Sequence, residues 1–332
     1  MQVPTLDFSH LHGSDEERLA FSRALLQGFS EIGFVKIINH GFSEEDISQL
    51  FSWNHKFFYL PDDQKLEVAN VVSPNPQRGW SGVGVEKTGT LNATGEINLV
   101  RVQHGNTTDV KEHFDIGAAG DVEFPNKWPR DSVIPGFRPW LEEYFNRGQQ
   151  VSLELMNALE VAMNIPSGTF AARCRRHASE LRLNHYPAVP IQKLSDGTAK
   201  RIWPHTDFGI ITLLAQDGHG GLEIQDKNRP GTFVPVPLKQ KNELVVNIGD
   251  TLERWTNGVL KAGLHQVNLP DELKNDRSIH TLPARSSVAF FLKASRDTSV
   301  GAIDNFVPIG DTSKYEEMTA LEYHQCRVGI VY

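Results

Sequence analysis

Trp203-Pro204-His205-Thr206-Asp207-Phe208-Gly209-Ile210-Ile211-Thr212-Leu213-Leu214 reads as one β-strand. β-Branched and apolar residues dominate it, and no polar face recurs at helical spacing. His205 and Asp207 are two apart, and on a strand i and i+2 share a face. An imidazole and a carboxylate therefore project side by side from an apolar element, an arrangement that is costly unless something pairs with it. Two readings fit. One is an ordinary buried His–Asp hydrogen bond. The other is two of the three ligands of a 2-His-1-carboxylate iron site, whose third ligand is a histidine further along. His265, in the strand-like run Leu264-His265-Gln266-Val267-Asn268-Leu269, is the candidate.

Working outward, the chain from about residue 178 alternates short β-rich runs with turn signals. The runs are Leu181–Tyr186, Trp203–Leu214, Leu222–Gln225, Thr232–Val236, Leu244–Ile248, Leu260–Leu269 and Ser287–Leu292. Gly-rich breaks such as Asp217-Gly218-His219-Gly220-Gly221 and Asn257-Gly258 separate them. Many short strands without intervening helices predict a sandwich or closed barrel. The first half is different. A short strand at 3–8 precedes a helix opened by the capping box Ser14-Asp15-Glu16-Glu17 and closed at Gly33. Phe34–Ile38 is a strand, Ser43 caps a second helix that stops before Pro61, and 139–164 is a long helix broken by Pro166. Arg78-Gly79-Trp80-Ser81-Gly82-Val83-Gly84 reads as a loop or irregular strand able to approach a ligand closely.

At 332 residues the chain is long enough to bury a core without staples. Its net charge of −8 argues against nucleic acid or an anionic membrane as the main partner. Cys174 and Cys326 form no disulfide framework or zinc knuckle, which suits a reducing compartment. No apolar run reaches membrane-spanning length, and residues 1–7 lack a secretory pattern. The expectation is a cytoplasmic protein; the oligomeric state is not set by the sequence.

The β half holds three polar pairs at spacing two: His205/Asp207, Arg285/Ser287 and Asn184/Tyr186, each in or at the end of an apolar run. Arg285 offers a planar fork suited to a carboxylate, Ser287 a hydroxyl and Tyr186 a phenol. Singly, Arg285 reads as a salt bridge at a barrel rim. Taken with the candidate metal triplet, a carboxylate-bearing ligand beside a metal is the better reading.

These residues make the chain recognisable. It resembles the Fe(II)/2-oxoglutarate-dependent dioxygenases, in the subgroup similar to isopenicillin N synthase. The matching pieces are Asn184-His185-Tyr186-Pro187, His205-Thr206-Asp207-Phe208-Gly209, Thr212–Asp217, Gly220-Gly221-Leu222, Asn247-Ile248-Gly249-Asp250, Trp255–Gly258, His265 and Arg285-Ser286-Ser287, in the family order. The resemblance implies an α+β fold with a mainly β core: a distorted double-stranded β-helix, or jelly-roll, with a helical N-terminal region packed against it. The implied division is 1–120 N-terminal mixed region, 121–176 linker and long helix, 177–296 jelly-roll and 297–332 C-terminal segment. His205, Asp207 and His265 fall on the iron-ligand positions. Arg285 and Ser287 fall on the pair holding the distal carboxylate of 2-oxoglutarate, with Tyr186 a third contact and Asn184 its same-face neighbour. Gln266 and His185 depart from the family's usual residues.

The implied cofactors are Fe(II), 2-oxoglutarate and O2. The implied reaction oxidises a small organic substrate by hydroxylation, desaturation or rearrangement while releasing succinate and CO2, in secondary-metabolite or nucleobase metabolism. A 2-oxoglutarate-independent Fe(II) oxidase or cyclase shares the Arg-Xaa-Ser motif and stays open, as does a non-catalytic jelly-roll binding protein. Relatives wall the substrate pocket with the N-terminal half and a C-terminal segment. That points to Arg78, Arg101, Gln103, His104, Phe208 and Phe291 as substrate-side candidates.

Overall fold

The Trp203–Leu214 stretch is two strands, Ile202–His205 and Ile211–Gln216, rather than one. Between them the chain crosses from one sheet to another, which a continuous strand cannot do. The crossing turn is held by close backbone approach. Asp250 N donates to Asp207 O (2.7 Å), and Thr251 Oγ1 donates to Phe208 O (2.8 Å). A Cβ on Gly209 would stand 2.7 Å from Leu292 O, and one on Gly249 would stand 2.3 Å from Gly209 O, so neither position has room for a side chain.

The computed structural model describes residues 2–88, 108–174, 178–195, 199–270, 273 and 278–331. In chain order its strands are β1 (Thr5–Asp7), β2 (Phe34–Ile38), β3 (Gly79–Ser81), β4 (Thr108–Asp109), β5 (Glu112–Gly117), β6 (Glu180–Tyr186), β7 (Val189–Pro190) and β8 (Ala199–Lys200). They continue as β9 (Ile202–His205), β10 (Ile211–Gln216), β11 (Leu222–Gln225), β12 (Phe233–Pro235), β13 (Leu244–Ile248), β14 (His265–Val267), β15 (Thr281–Leu282) and β16 (Arg285–Leu292). The helices described are α1 (Asp15–Glu31), α2 (Glu44–Phe58), α3 (Asp62–Leu66), α4 (Phe137–Met163), α5 (Ile191–Ser195), α6 (Asp250–Trp255) and α7 (Ala320–Val331).

One sheet runs β1-β2-β13-β10-β16-β6-β5-β3, and a smaller one runs β12-β11-β14-β9. Together they form the jelly-roll of an α+β fold. The N-terminal region does not stand apart from it: β1 and β2 extend one edge of the large sheet, and β5 and β3 the other. Helices α2 and α4 pack on the large sheet's outer face, against β16 and its neighbours β6 and β10. Gly148 of α4 allows that contact, since a Cβ there would meet the Phe290 ring at 2.9 Å. The capping box read at Ser14 forms with Glu17, and Ser43 caps α2 in a second box with Asp46.

The boundaries differ from the sequence reading where side-chain pattern and backbone pairing part company. Leu260–Leu269 is a strand only over β14, and Thr232–Val236 only over β12. The strand read from Ser287 begins at Arg285. β5 was not legible as a strand: all six of its residues are buried, and Glu112, His113 and Asp115 interrupt the apolar pattern.

Candidate active site

His205 ends β9 and His265 begins β14, and the two are direct partners across that antiparallel pair. Asp207 lies in the crossing turn, so its nearness to His205 comes from the turn and not from a shared strand face. Its Oδ1 stands 3.9 Å from His205 Nε2 and 4.0 Å from His265 Nε2, too far for a hydrogen bond to either. The ordinary His–Asp hydrogen bond is therefore absent. One donor atom from each of the three residues lies within 4.8 Å of the others, a spacing fit to hold a metal ion.

The surroundings orient the three groups. His205 Nδ1 donates to Trp203 O (2.8 Å) and His265 Nδ1 to Gly263 O (2.9 Å). A carbonyl can only accept, so each Nδ1 is a donor, and Nε2 of each ring is the atom turned toward Asp207. Asp207 Oδ2 accepts from Thr212 Oγ1 (2.6 Å) and Asn247 Nδ2 (2.7 Å), which leaves Oδ1 facing the imidazoles. Burial, with the neighbouring His265, pushes His205 down to about 3. Burial pulls the other way on Asp207, but His265 and His205, together with Asn247 and Thr212, hold its carboxyl below the usual range. Two imidazoles and a carboxylate whose ligand atoms converge suit a divalent cation.

The other two polar pairs meet face to face. In the β16–β6 register Arg285 is opposite Tyr186 and Ser287 is opposite Asn184. The Arg285 guanidinium lies 4.9 Å from the Tyr186 ring centre. Its Nε donates to Gly220 O (2.9 Å) and its Nη2 to Gln216 Oε1 (3.0 Å), while Nη1 is buried without a partner. Tyr186 OH and Asn184 Nδ2 reach Ser287 Oγ at 3.4 and 3.5 Å. A guanidinium held on two sides and open on the third, beside a phenol and a hydroxyl, fits a carboxylate. All four residues line the same cavity as His205, Asp207 and His265.

Of the substrate-side candidates, Phe208 and Phe291 line that cavity. Arg78 does not. Its guanidinium is engaged by Glu180 (2.9 Å), Asp121 (3.3 Å) and the carbonyls of Gln77 and Phe124. Arg101, Gln103 and His104 lie outside the described residues. The two departures from family residues are also off the cavity. Gln266 donates to Glu223 (2.6 Å), and His185 bonds Glu112 (2.8 Å) and stacks on Phe58.

Sequence reasoning missed the residues that hold the site in place. Thr212, Asn247 and Gln216 lay inside pieces quoted for the family resemblance, but no role was read for any of them. It also missed a charged cavity wall. Glu86 pairs with Lys111 and with Arg182 (2.9 Å), and Glu180 pairs with Lys293. These come from separate elements, so no local motif announced them. Among the described residues no helix is long and apolar enough to cross a membrane.

Comparison with known proteins agrees with this geometry. Residues 3–131 match the family described as non-haem dioxygenase in morphine synthesis N-terminal, and residues 178–294 match the 2OG-Fe(II) oxygenase superfamily. The 2-oxoglutarate-dependent dioxygenase ecdK of Aspergillus rugulosus is 56% identical, the alignment covering 100% of both chains. The proline hydroxylase buaE of Petromyces alliaceus is 42% identical over 99% of both. Among solved structures, a full-length Neurospora crassa protein in complex with alpha-KG and thymine superposes with a TM-score of 0.84 at 32% identity, covering 99% of this chain and 97% of that one. The chain thus belongs to the 2OG-Fe(II) oxygenase superfamily and is a 2-oxoglutarate-dependent dioxygenase that uses Fe(II).

Proposed function

We propose that His205, Asp207 and His265 hold Fe(II), and that Arg285, Ser287, Tyr186 and Asn184 receive the distal carboxylate of 2-oxoglutarate. The observation that carries the metal assignment is the pair of Nδ1–H···O=C bonds, which turns both Nε2 atoms toward Asp207 Oδ1. Bound iron supplies the activation of O2, coupled to conversion of 2-oxoglutarate to succinate and CO2. The chain's own share is placement. Trp203 O and Gly263 O aim the imidazoles, while Thr212 and Asn247 aim the carboxylate. Gly220 O and Gln216 aim the guanidinium. Leu214, Leu222 and Val267 add apolar lining to the same cavity.

The reaction is oxidation at a C–H bond of a small polar molecule. A relative named for proline hydroxylation and a neighbour bound to thymine both support a substrate of that size. The fungal relatives support a place in fungal secondary metabolism. Free thiols at Cys174 and Cys326 support a cytoplasmic setting. In this reading residues 177–296 carry every metal and cosubstrate contact, while 1–120 and 297–332 add substrate wall.

The test is anaerobic titration of the iron-free protein with Fe(II) and then 2-oxoglutarate, followed by oxygen. Wild type should bind one iron, develop the visible charge-transfer band of a chelated 2-oxo acid and release succinate. His205→Ala should do none of these. Stoichiometric iron and succinate from His205→Ala would refute the assignment.

A further inference from the structure

Three polar atoms of described cavity-lining residues are buried with no partner: Asn184 Oδ1, Arg285 Nη1 and His324 Nε2. The first two belong to the arm proposed for the cosubstrate. The third is carried by α7, away from that arm, and His324 is only 8% exposed. Its ring meets Phe208, the residue after Asp207, edge-on at 6.4 Å between centroids. An unsatisfied buried polar atom is costly, and lining a cavity is the circumstance in which a ligand relieves that cost.

The protonation of His324 follows from its other nitrogen. Lys293 Nζ lies 3.3 Å from His324 Nδ1. An ammonium has hydrogens and no lone pair, so Nδ1 must accept. Burial and the adjacent Lys293 charge push His324 down to about 3, so the imidazole is neutral. The proton therefore resides on Nε2, which is a donor. Lys293 is itself held by Glu180, which Arg78 also grips at 2.9 Å, so the ring cannot easily turn to exchange its nitrogens.

We propose that His324 is a substrate-contacting, specificity-determining residue whose Nε2–H donates to an acceptor oxygen of the substrate, a carboxylate or ring carbonyl. This rests on the reading of the cavity as the oxygenase site. The same cavity wall holds the Glu86–Lys111–Arg182 cluster, which suits a molecule carrying charge or strong polarity. A free amino acid presents a carboxylate and a pyrimidine base presents a carbonyl; both are hydrogen-bond acceptors of the required kind.

The experiment uses the full chain, loaded anaerobically with Fe(II) and 2-oxoglutarate. Binding is read by calorimetry for the proteinogenic L-amino acids and for thymine and uracil, in wild type, His324→Phe and His324→Gln. Gln keeps an N–H near the Nε2 position and an acceptor for Lys293. The expected result is that one class binds wild type, loses affinity about tenfold or more in His324→Phe, and recovers most of it in His324→Gln. Binding confined to amino acids, or to the bases, identifies which oxygen is read. Equal affinity in wild type and His324→Phe overturns the proposal, as does equal loss in both variants, or binding of no probe by wild type. The affinity of each variant for 2-oxoglutarate, measured on the same preparations, should stay at the wild-type value. Loss of it in wild type itself would instead indict the oxygenase reading.

Discussion

His205 and His265 stand directly opposite each other across β9 and β14, with ring centroids 4.2 Å apart. Two imidazoles this close gain little from each other, and the gain comes when a cation sits between their inward-facing nitrogens. His265→Ala should therefore lower Fe(II) affinity by more than about 100-fold, beyond what loss of a supporting contact costs. Anaerobic iron titration checks this. Wild-type affinity in the variant would mean that the pair is structural.

Asn247 and Thr212 both donate to Asp207 Oδ2 and so leave Oδ1 turned toward the two imidazoles. Neither touches iron in the proposed arrangement. Asn247→Ala and Thr212→Val should each weaken Fe(II) binding by roughly 10- to 100-fold, the usual cost of an outer partner. The affinity for 2-oxoglutarate at saturating iron should change far less. If both affinities fall together, the variants have disturbed the cavity as a whole.

Arg285 is buried, and two of its three nitrogens are already held by Gly220 O and Gln216. Arg285→Lys keeps the charge and loses the fork. The KM for 2-oxoglutarate should rise about thirtyfold, corresponding to about 2 kcal/mol for a charge-assisted hydrogen bond. Turnover at saturating cosubstrate should stay within a few-fold. A fall in kcat with KM unchanged would place Arg285 elsewhere in the reaction.

How far the site was legible depended on whether its members were close in sequence. Arg285/Ser287 and Asn184/Tyr186 were readable because β16 and β6 are true strands, where spacing two means one face, and the register then sets the pairs opposite each other. His205, Asp207 and His265 do come together, but His205 and Asp207 are not neighbours for the reason read from the sequence. The two are neighbours because the chain turns at 206–209, a bend that Gly209 and Gly249 permit by close packing and that apolar periodicity cannot reveal. His324 and the charged wall were invisible because α7, β5 and β6 meet only in the folded chain.

Stability of the iron-free protein should fall on mild acidification. Burial pushes His40, His113, His205 and His324 below their ordinary value of 6.5. For His205 and His324 the folded value is about 3. A group with a depressed folded pKa contributes fully above its unfolded value and loses that contribution as pH falls toward the folded one, up to about 1.4 kcal/mol per pH unit each. Asp109 and Asp115 act the other way: burial raises both to about 6, so their protonation favours the fold as pH drops. The histidines outweigh them. The melting temperature should fall between about pH 7 and about pH 5.5, and a flat or rising profile would contradict this balance.

The passage at 206–209, where the polypeptide leaves one sheet for the other, supplies the carboxylate, while the smaller sheet supplies both imidazoles. A ferrous ion seated there would act as a rivet through the seam at the barrel's mouth. An iron-starved cell would then hold a population of chains with a loosened rim, more open to proteases. Metal binding in this arrangement would tie the two sheets together as well as supply the chemistry.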